Sequence, residues 1–280
     1  MKKFILLVVG LSILAGCANF RKSGSGKLKV KEEIFRDLDA CFLAYDLNAD
    51  KIVAERGGAN CTERAPATST FKIPLALIAF DSKHLSDENS SFKWDGTNRS
   101  IATWNQDQTA ATWMKDSVVW VSQALTTDIG SEKLTEYLKM FNYGNQNMSG
   151  GLTSAWLTNK AKGPGAATLL ISPREQLEFM KGFWKQSFKL SPEAYKKTKT
   201  ITQLESLPHG FFLSGKTGSG FIGDRGRTRL GWFLGHIEGH GFQLLTVLKF
   251  QDNDAQSLKR PAGEQAKEMT LRILRSNGLQ

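Results

Sequence analysis

The sequence predicts an α/β protein, of the α+β type, in which helices flank an antiparallel sheet and a mostly helical lobe lies beside it. Strand-like segments occur near both ends of the 280-residue chain, whereas the middle is helical in pattern. Since both ends then build one sheet, we expect a sheet lobe from about 32–66 and 205–280 and a helical lobe from about 67–204. A cleft between two lobes is a natural place for an active site.

The first 31 residues are predicted to precede this folded domain, which spans 32–280. Residues 1–16 have a basic start and a short apolar run, which is typical of a secretory signal peptide. The run ends in Leu14-Ala15-Gly16-Cys17 and resembles the bacterial lipobox, so Cys17 is expected to carry lipid and anchor the protein to a membrane facing the periplasm. Ala18 favours the outer membrane, and 17–31 is expected to be a flexible tether. An ordinary signal peptide is the alternative.

The charge distribution and the cysteine content limit the possible binding partners and the cellular compartment of the protein. The net charge of +10 is scattered and lacks a basic-aromatic pattern, so we expect no nucleic-acid partner. With Cys17 assigned to lipid, Cys41 and Cys61 remain in a chain expected to enter an oxidising compartment. A Cys41–Cys61 disulfide is therefore predicted, with two buried free thiols as the alternative.

Local patterns assign the elements in order along the chain. The first half is expected to contain a β-hairpin over 41–55, a helix capped by 68–70, a loop-like region over 83–116, and a helical pattern over 117–141 that breaks near Gly130. The second half is expected to contain a capping-box helix from Ser172 to about 188, a helix from Ser191, strands over 210–213, 229–236 and 242–250, and a last helix over 261–275.

Ser69 and Lys72 are three residues apart, which places them on one helical face. A hydroxyl beside an amine, at a helix end with free backbone N–H groups, combines a nucleophile, a potential base and an oxyanion site. The apolar neighbours of Lys72 would lower its pKa if the side chain were buried. A helix cap and a surface lysine are the alternative.

Further motifs follow in a fixed order. They are Ser117-Val118-Val119, Tyr143-Gly144-Asn145, Trp156-Leu157, Lys216-Thr217-Gly218 and Lys259-Arg260-Pro261-Ala262-Gly263. Together with Ser69-Thr70-Phe71-Lys72, they make the sequence resemble the class D (oxacillinase-type) β-lactamases, within the penicillin-recognising serine enzymes. The Ser-Asp-Asn motif of class A enzymes is absent.

The resemblance implies roles for these residues. Ser69 would attack the lactam carbonyl, and Lys72, carboxylated at Nζ by CO2, would be the general base for acylation and deacylation. Ser117, helped by Lys216, would pass a proton to the lactam nitrogen. The resemblance also implies an apolar wall around Lys72, formed by Val119, Trp156 and Leu157, in which the Trp156 indole N–H bonds to the carbamate. The substrate carboxylate would be held by Lys216, Thr217 and Arg260. Gly218 and Ser219 complete the implied substrate-binding residues, and the Ser219 N–H would form an oxyanion hole with that of Ser69.

The implied activity is hydrolysis of β-lactam antibiotics through an acyl-enzyme, with a small-molecule substrate, no metal and no cofactor beyond CO2 or bicarbonate. Two alternatives remain open: a β-lactam-binding sensor that stays acylated, and a peptidoglycan D,D-peptidase. The apolar wall around Lys72 favours the lactamase, because a carbamate base serves deacylation. The β-lactam spectrum and the oligomeric state are left open.

Two other motifs are set aside. Residues 210–217 satisfy the P-loop expression, but apolar residues fall inside the supposed loop and no helix follows it. His236 and His240 suggest a metal pair, but the spacing of the intervening glutamate does not fit the helical zinc motif. We expect this segment to be a hairpin turn.

Overall fold

The computed structural model describes residues 26–279, apart from residue 37 and residues 159–165, 224–226 and 254–259. The predicted signal peptide, the lipid site at Cys17 and most of the predicted tether lie outside the described residues. Among those that are described, no helix has the length and apolar character needed to cross a membrane.

The elements fall into ten strands and seven α-helices within the described residues. The strands are β1 (Asp39–Asp46), β2 (Lys51–Arg56), β3 (Ala65–Pro66), β4 (Ser91–Phe92), β5 (Gln108–Thr109), β6 (Leu170–Ile171), β7 (Gln203–Leu207), β8 (Phe211–Ile222), β9 (Thr228–Gly239) and β10 (Phe242–Asp252). The helices are α1 (Lys72–Asp81), α2 (Ala110–Lys115), α3 (Val119–Ile129), α4 (Ser131–Met140), α5 (Pro173–Lys185), α6 (Pro192–Ile201) and α7 (Ala262–Ser276).

The main sheet has six strands in the order β2-β1-β10-β9-β8-β7, and every neighbouring pair is antiparallel. The first two strands come from the beginning of the chain and the other four from its end, because β1 pairs with β10. The predicted antiparallel sheet built from both ends of the chain is therefore confirmed.

Apolar side chains pack on both faces of this sheet. On β10, Leu245 and Val247 belong to a core shared with α1, whereas Leu244 and Leu248 belong to a core shared with α7. This alternation follows from the two-residue period of a strand. The sheet is therefore flanked by helices, as predicted.

The structure confirms several local predictions and corrects others. The β1–β2 hairpin, the break at Gly130 (φ +80°) and the Ser172 capping box are present as expected. Helix α2 and strand β7 were not predicted. The predicted N-cap role of residues 68–70 is wrong: no side chain caps this end, because a 3₁₀ turn over Thr68–Phe71 leads directly into α1.

The predicted disulfide is confirmed. Cys41 lies on β1 and Cys61 in a short 3₁₀ turn, with their Cα atoms 5.0 Å apart and both side chains buried. This bond therefore links the sheet to the segment that leads through β3 toward Ser69.

The last residues of the predicted tether pack against the fold instead. The N–H of buried Leu28 donates to the carbonyl of Val53 at 2.8 Å, and the backbone of Lys29 exchanges two hydrogen bonds with the side chain of Asn277. The predicted boundary at residue 31 is therefore too late by at least three residues.

Of the two motifs that were set aside, one lies on β8 and the other at the hairpin between β9 and β10. Residues 211–217 belong to β8, so they form no phosphate-binding loop. His236 is buried on β9 against the Trp184 ring, with ring centroids 3.5 Å apart, whereas His240 lies in the turn before β10. The predicted hairpin is confirmed.

Candidate active site

The turn that carries Ser69, and the two residues before it, are held by hydrogen bonds to three other segments. The Thr68 N–H donates to the Trp156 carbonyl at 2.8 Å, and the Ala67 N–H donates to the Leu169 carbonyl at 3.3 Å. The Trp232 indole N–H, from β9, donates to the Pro66 carbonyl at 3.1 Å. Ser69 is half-buried, so its hydroxyl lies at the edge of the core rather than inside it.

Lys72 lies one helical turn after Ser69, with Nζ 3.3 Å from the Ser69 Oγ. Its side chain is 1% exposed, on the first turn of α1. Burial holds the pKa of Lys72 well below its ordinary value, and the nearby charge of Lys216 lowers it further. Burial therefore favours the neutral amine, the form that can accept a proton or react as a nucleophile.

A second serine–lysine pair faces the first. Lys216 lies on β8, and its Nζ is 2.5 Å from the Oγ of Ser117, which immediately precedes the turn into α3. Burial lowers the pKa of Lys216 to about 8, although the charges of Glu264 and Asp116 act in the opposite direction. The structure thus brings together four residues that the sequence separates by as many as 147 positions, from Ser69 to Lys216.

Aromatic rings cover the base of this cluster. Phe71 packs against Trp156, with ring centroids 5.1 Å apart, and against Tyr143 at 6.0 Å. Trp156 is fully buried, and its indole N–H has no hydrogen-bond partner among the described residues. An unpaired buried donor costs about 1–3 kcal/mol, so this N–H indicates an acceptor that the polypeptide does not supply. Val119 and Leu157 are half-buried, at the start of α3 and directly after Trp156.

The Lys216-Thr217-Gly218 segment approaches the Ser69 turn closely. A methyl group at Gly218 would lie 2.2 Å from the Thr68 Oγ1, and one at Gly263 on α7 would lie 2.8 Å from the Gly218 carbonyl oxygen. The Ser219 Oγ accepts the Gly263 N–H at 2.8 Å. Because Thr68 precedes Ser69 and Gly218 precedes Ser219, this contact holds the backbones of the two predicted oxyanion donors near each other.

Arg260 is less well connected to the cluster. Its carbonyl accepts a hydrogen bond from Arg229 at 2.8 Å, and Arg229 also forms a buried ion pair with Asp252 at 3.0 Å. The Arg260 side chain is exposed, and no contact within the described part of the chain joins it to Lys216 or Thr217. Arg229 therefore joins Asp252 at the end of β10 to the backbone of Arg260.

The Asn145 side chain hydrogen-bonds to the backbone of a neighbouring segment and does not line the Ser–Lys cluster. Its side chain accepts the Leu170 N–H at 3.0 Å and donates to the Thr168 carbonyl at 2.8 Å. These residues lead into β6, which pairs with β3 just before the Ser69 turn. The Tyr143-Gly144-Asn145 motif therefore supports the nucleophile indirectly.

Gln176 is a site residue that the sequence analysis missed. It is fully buried on α5, and its amide donates to the Thr70 Oγ1 at 2.9 Å and to the Tyr143 hydroxyl at 3.3 Å. It thus joins the turn that bears Ser69 to the loop after α4. Its position directly after the Ser172 capping box was the available signal, but nothing in the sequence indicates its partners.

This arrangement defines a class of protein. A serine hydroxyl beside a buried lysine of lowered pKa, with a second Ser–Lys pair from another element, is the site of a serine acyl-transfer enzyme. In agreement with that chemistry, the family model for the penicillin binding protein transpeptidase domain matches residues 40–275.

Comparisons with individual proteins specify the family within this class. The chain is 38% identical over 228 residues to β-lactamase OXA-1 of Escherichia coli, covering 78% of this chain and 79% of that protein. The solved structure of class D β-lactamase BAT-2 matches with a TM-score of 0.78 and 31% identity, over 91% of this chain and 98% of that one. The C-terminal domain of the Bacillus licheniformis BlaR penicillin-receptor matches with a TM-score of 0.79 and 30% identity, over 91% and 97%. This chain belongs to the class D β-lactamase family.

Proposed function

We propose that this protein hydrolyses β-lactam antibiotics through an acyl-enzyme on Ser69. The observation that carries the proposal is the buried Lys72 amine, 3.3 Å from the Ser69 Oγ. Trp156, whose buried N–H is unpaired among the described residues, packs against Phe71, the residue directly before Lys72. This geometry supplies a nucleophile, a base of lowered pKa and a donor for an additional acceptor group.

Lys72 is the proposed site of carboxylation by CO2. Only a neutral amine reacts with CO2, forming an N–C bond and releasing one N–H proton, and burial favours the neutral form of Lys72 by lowering its pKa. The Trp156 N–H would then donate to the new carboxylate, which supplies a general base. The fit rests on this orphaned donor and on the aromatic wall, which excludes water.

The remaining roles follow from position. Ser69 Oγ attacks the lactam carbonyl, and the backbone N–H groups of Ser69 and Ser219 stabilise the oxyanion. The Ser117 hydroxyl passes a proton to the departing lactam nitrogen, and Lys216 at 2.5 Å replaces that proton. Lys216, Thr217 and Arg260 hold the substrate carboxylate, with Val119, Leu157 and Gly218 shaping the pocket.

A sensor that stays acylated is the second candidate, because the receptor domain named above has a TM-score of 0.79 with this chain. Intact-mass spectrometry with benzylpenicillin and bicarbonate separates the two. A transient adduct on Ser69 with steady release of penicilloate supports hydrolysis, whereas a persistent adduct contradicts it. Lys72→Ala should abolish turnover, and the exposed Lys133→Ala provides a matched control.

A D,D-peptidase is tested separately with a peptide ending in D-Ala-D-Ala. Release of D-Ala at a rate comparable to penicilloate formation would contradict the lactamase assignment. We expect no release, because the Lys72 base is placed for deacylation of a lactam-derived ester.

We also propose that the chain is exported and lipid-anchored at Cys17, facing the periplasm. Labelling of the expressed protein with a palmitate analogue, compared with Cys17→Ser, tests this proposal. Labelling of both forms, or of neither, would contradict it.

A further inference from the structure

Five basic side chains form an exposed surface where the N-terminal segment meets the end of α7. We call this surface the basic face; it consists of Lys27, Lys29, Lys31, Arg272 and Arg275, all of them exposed. The last three line one depression of about 240 Å³, together with Glu33, Ile34 and Ser276. The depression is large enough for a phosphate group.

The basic face is held in place by the fold. Leu28 is buried between two of its lysines, with its N–H bonded to Val53, and the backbone of Lys29 is bonded twice to the Asn277 side chain. Arg272 and Arg275 project from the last turns of α7. The cations are therefore presented on a fixed surface rather than along a loose chain.

Few carboxylates neutralise these cations. Glu33 lies 3.6 Å from Lys31, and Glu32 is bound instead by Arg56 at 3.0 Å. Glu268 lies one helical turn before Arg272. Five cations against Glu33 and Glu268 leave the basic face with a charge of about +3, which favours an anionic partner.

The N-terminal residues that precede the basic face indicate which anionic partner binds there. Residues 17–25 lie outside the described structure, and the first described residue, Gly26, adjoins Lys27 of the basic face. The nine residue-to-residue steps from Cys17 to Gly26 reach at most about 30 Å when fully extended. They include Arg21 and Lys22. With the proposed lipid on Cys17, the basic face therefore lies within reach of the membrane surface.

The active-site cleft lies away from the basic face along α7. Gly263, near the start of α7, packs against Gly218 of the active site. Arg272 lies nine residues further along the helix, about 14 Å away at 1.5 Å per residue. The basic face and the catalytic cluster are thus at opposite ends of α7.

From these observations we propose that the basic face docks on an anionic phospholipid surface, with a headgroup phosphate in the depression and the cleft directed away from the bilayer. Its cellular setting rests on the proposed lipidation, but the docking itself requires neither a lipid on Cys17 nor an active Ser69. A protein without the lipid can therefore test it.

The experiment is cosedimentation of the chain from Ala18 onward with phosphatidylglycerol–phosphatidylcholine vesicles at low and high salt. Arg272→Glu/Arg275→Glu should lower the apparent affinity at least tenfold, because each basic residue near an anionic membrane contributes about fivefold. Lys133→Glu/Lys139→Glu, on exposed positions of α4, makes the same change in net charge and should alter the affinity less than twofold.

Three results would overturn the proposal: no binding of the unaltered chain to anionic vesicles at low salt, equal binding to pure phosphatidylcholine, or equal losses in the two double variants. Melting temperature and cephalosporin turnover, measured on every variant, establish that each is folded. Turnover should also persist at saturating vesicles, and its loss would contradict the proposed orientation. Since binding is measured without substrate, its failure would leave the hydrolase proposal unaffected.

Discussion

Replacing Gly218 with alanine is predicted to disrupt the oxyanion hole without altering any catalytic side chain. The added methyl would lie 2.2 Å from the Thr68 Oγ1, whereas real Cβ contacts essentially never fall below 3.0 Å. With the Thr68 rotamer retained, relief of this contact separates the backbone at Gly218 from the Ser69 turn by about 0.8 Å. Ser69 and Ser219, which supply the two proposed oxyanion N–H groups, directly follow the clashing residues.

The size of the effect follows from that displacement. Catalytic donors must be held within about 0.5 Å of their productive position, and a misplacement of about 1 Å costs about 100-fold in rate. This corresponds to about 2.7 kcal/mol in the activation free energy, similar to the loss of one oxyanion donor. We therefore expect Gly218→Ala to lower kcat/KM for a chromogenic cephalosporin about 100-fold.

A second substitution tests whether the contact with Thr68 causes the loss of activity. Thr68→Ala removes the clashing oxygen and leaves the new methyl with contacts of 3.1 and 3.2 Å, so the double variant should recover at least tenfold. Gly215→Ala is the matched control, because its methyl would lie 2.2 Å from the Leu234 backbone carbonyl, which Thr68→Ala cannot relieve. Near-normal activity in folded Gly218→Ala, or no recovery in the folded double variant, would refute the reasoning.

Three further predictions concern charge, carboxylation and stability. Affinity for the substrate carboxylate should weaken as the pH rises through about 8, because Lys216 then loses its positive charge; Lys216→Arg should move this loss to higher pH in measurements of KM. Trp156→Phe should raise the bicarbonate concentration needed for half-maximal activity about tenfold, since one hydrogen bond is lost, and an unchanged requirement would contradict the proposed contact. Reducing the Cys41–Cys61 bond, which spans 20 residues, should lower the free energy of unfolding by about 3 kcal/mol in denaturant titrations, with no effect expected in Cys41→Ala/Cys61→Ala.

Patterns with short-range causes were predictable. The Ser172 capping box, the break at Gly130 and the β1–β2 hairpin depend on neighbouring residues, and they are present as expected. Helix α2 was missed because its six residues lie in a polar region, where only the Thr109–Thr112 capping box indicated a helix. The N-cap prediction for residues 68–70 is wrong, since composition does not distinguish a capped helix from a 3₁₀ turn leading into one.

The sequence by itself determined the sheet-and-helix class, the disulfide pair and the motifs that carry the chemistry, because periodicity, cysteine parity and motif order are properties of the chain. Only the tertiary structure decided which groups meet. Burial lowers the pKa of Lys72, the Trp156 N–H has no partner among the described residues, and Gln176 joins Thr70 to Tyr143. Desolvation and close contacts between distant segments arise only when the chain is folded, so no local pattern encodes them.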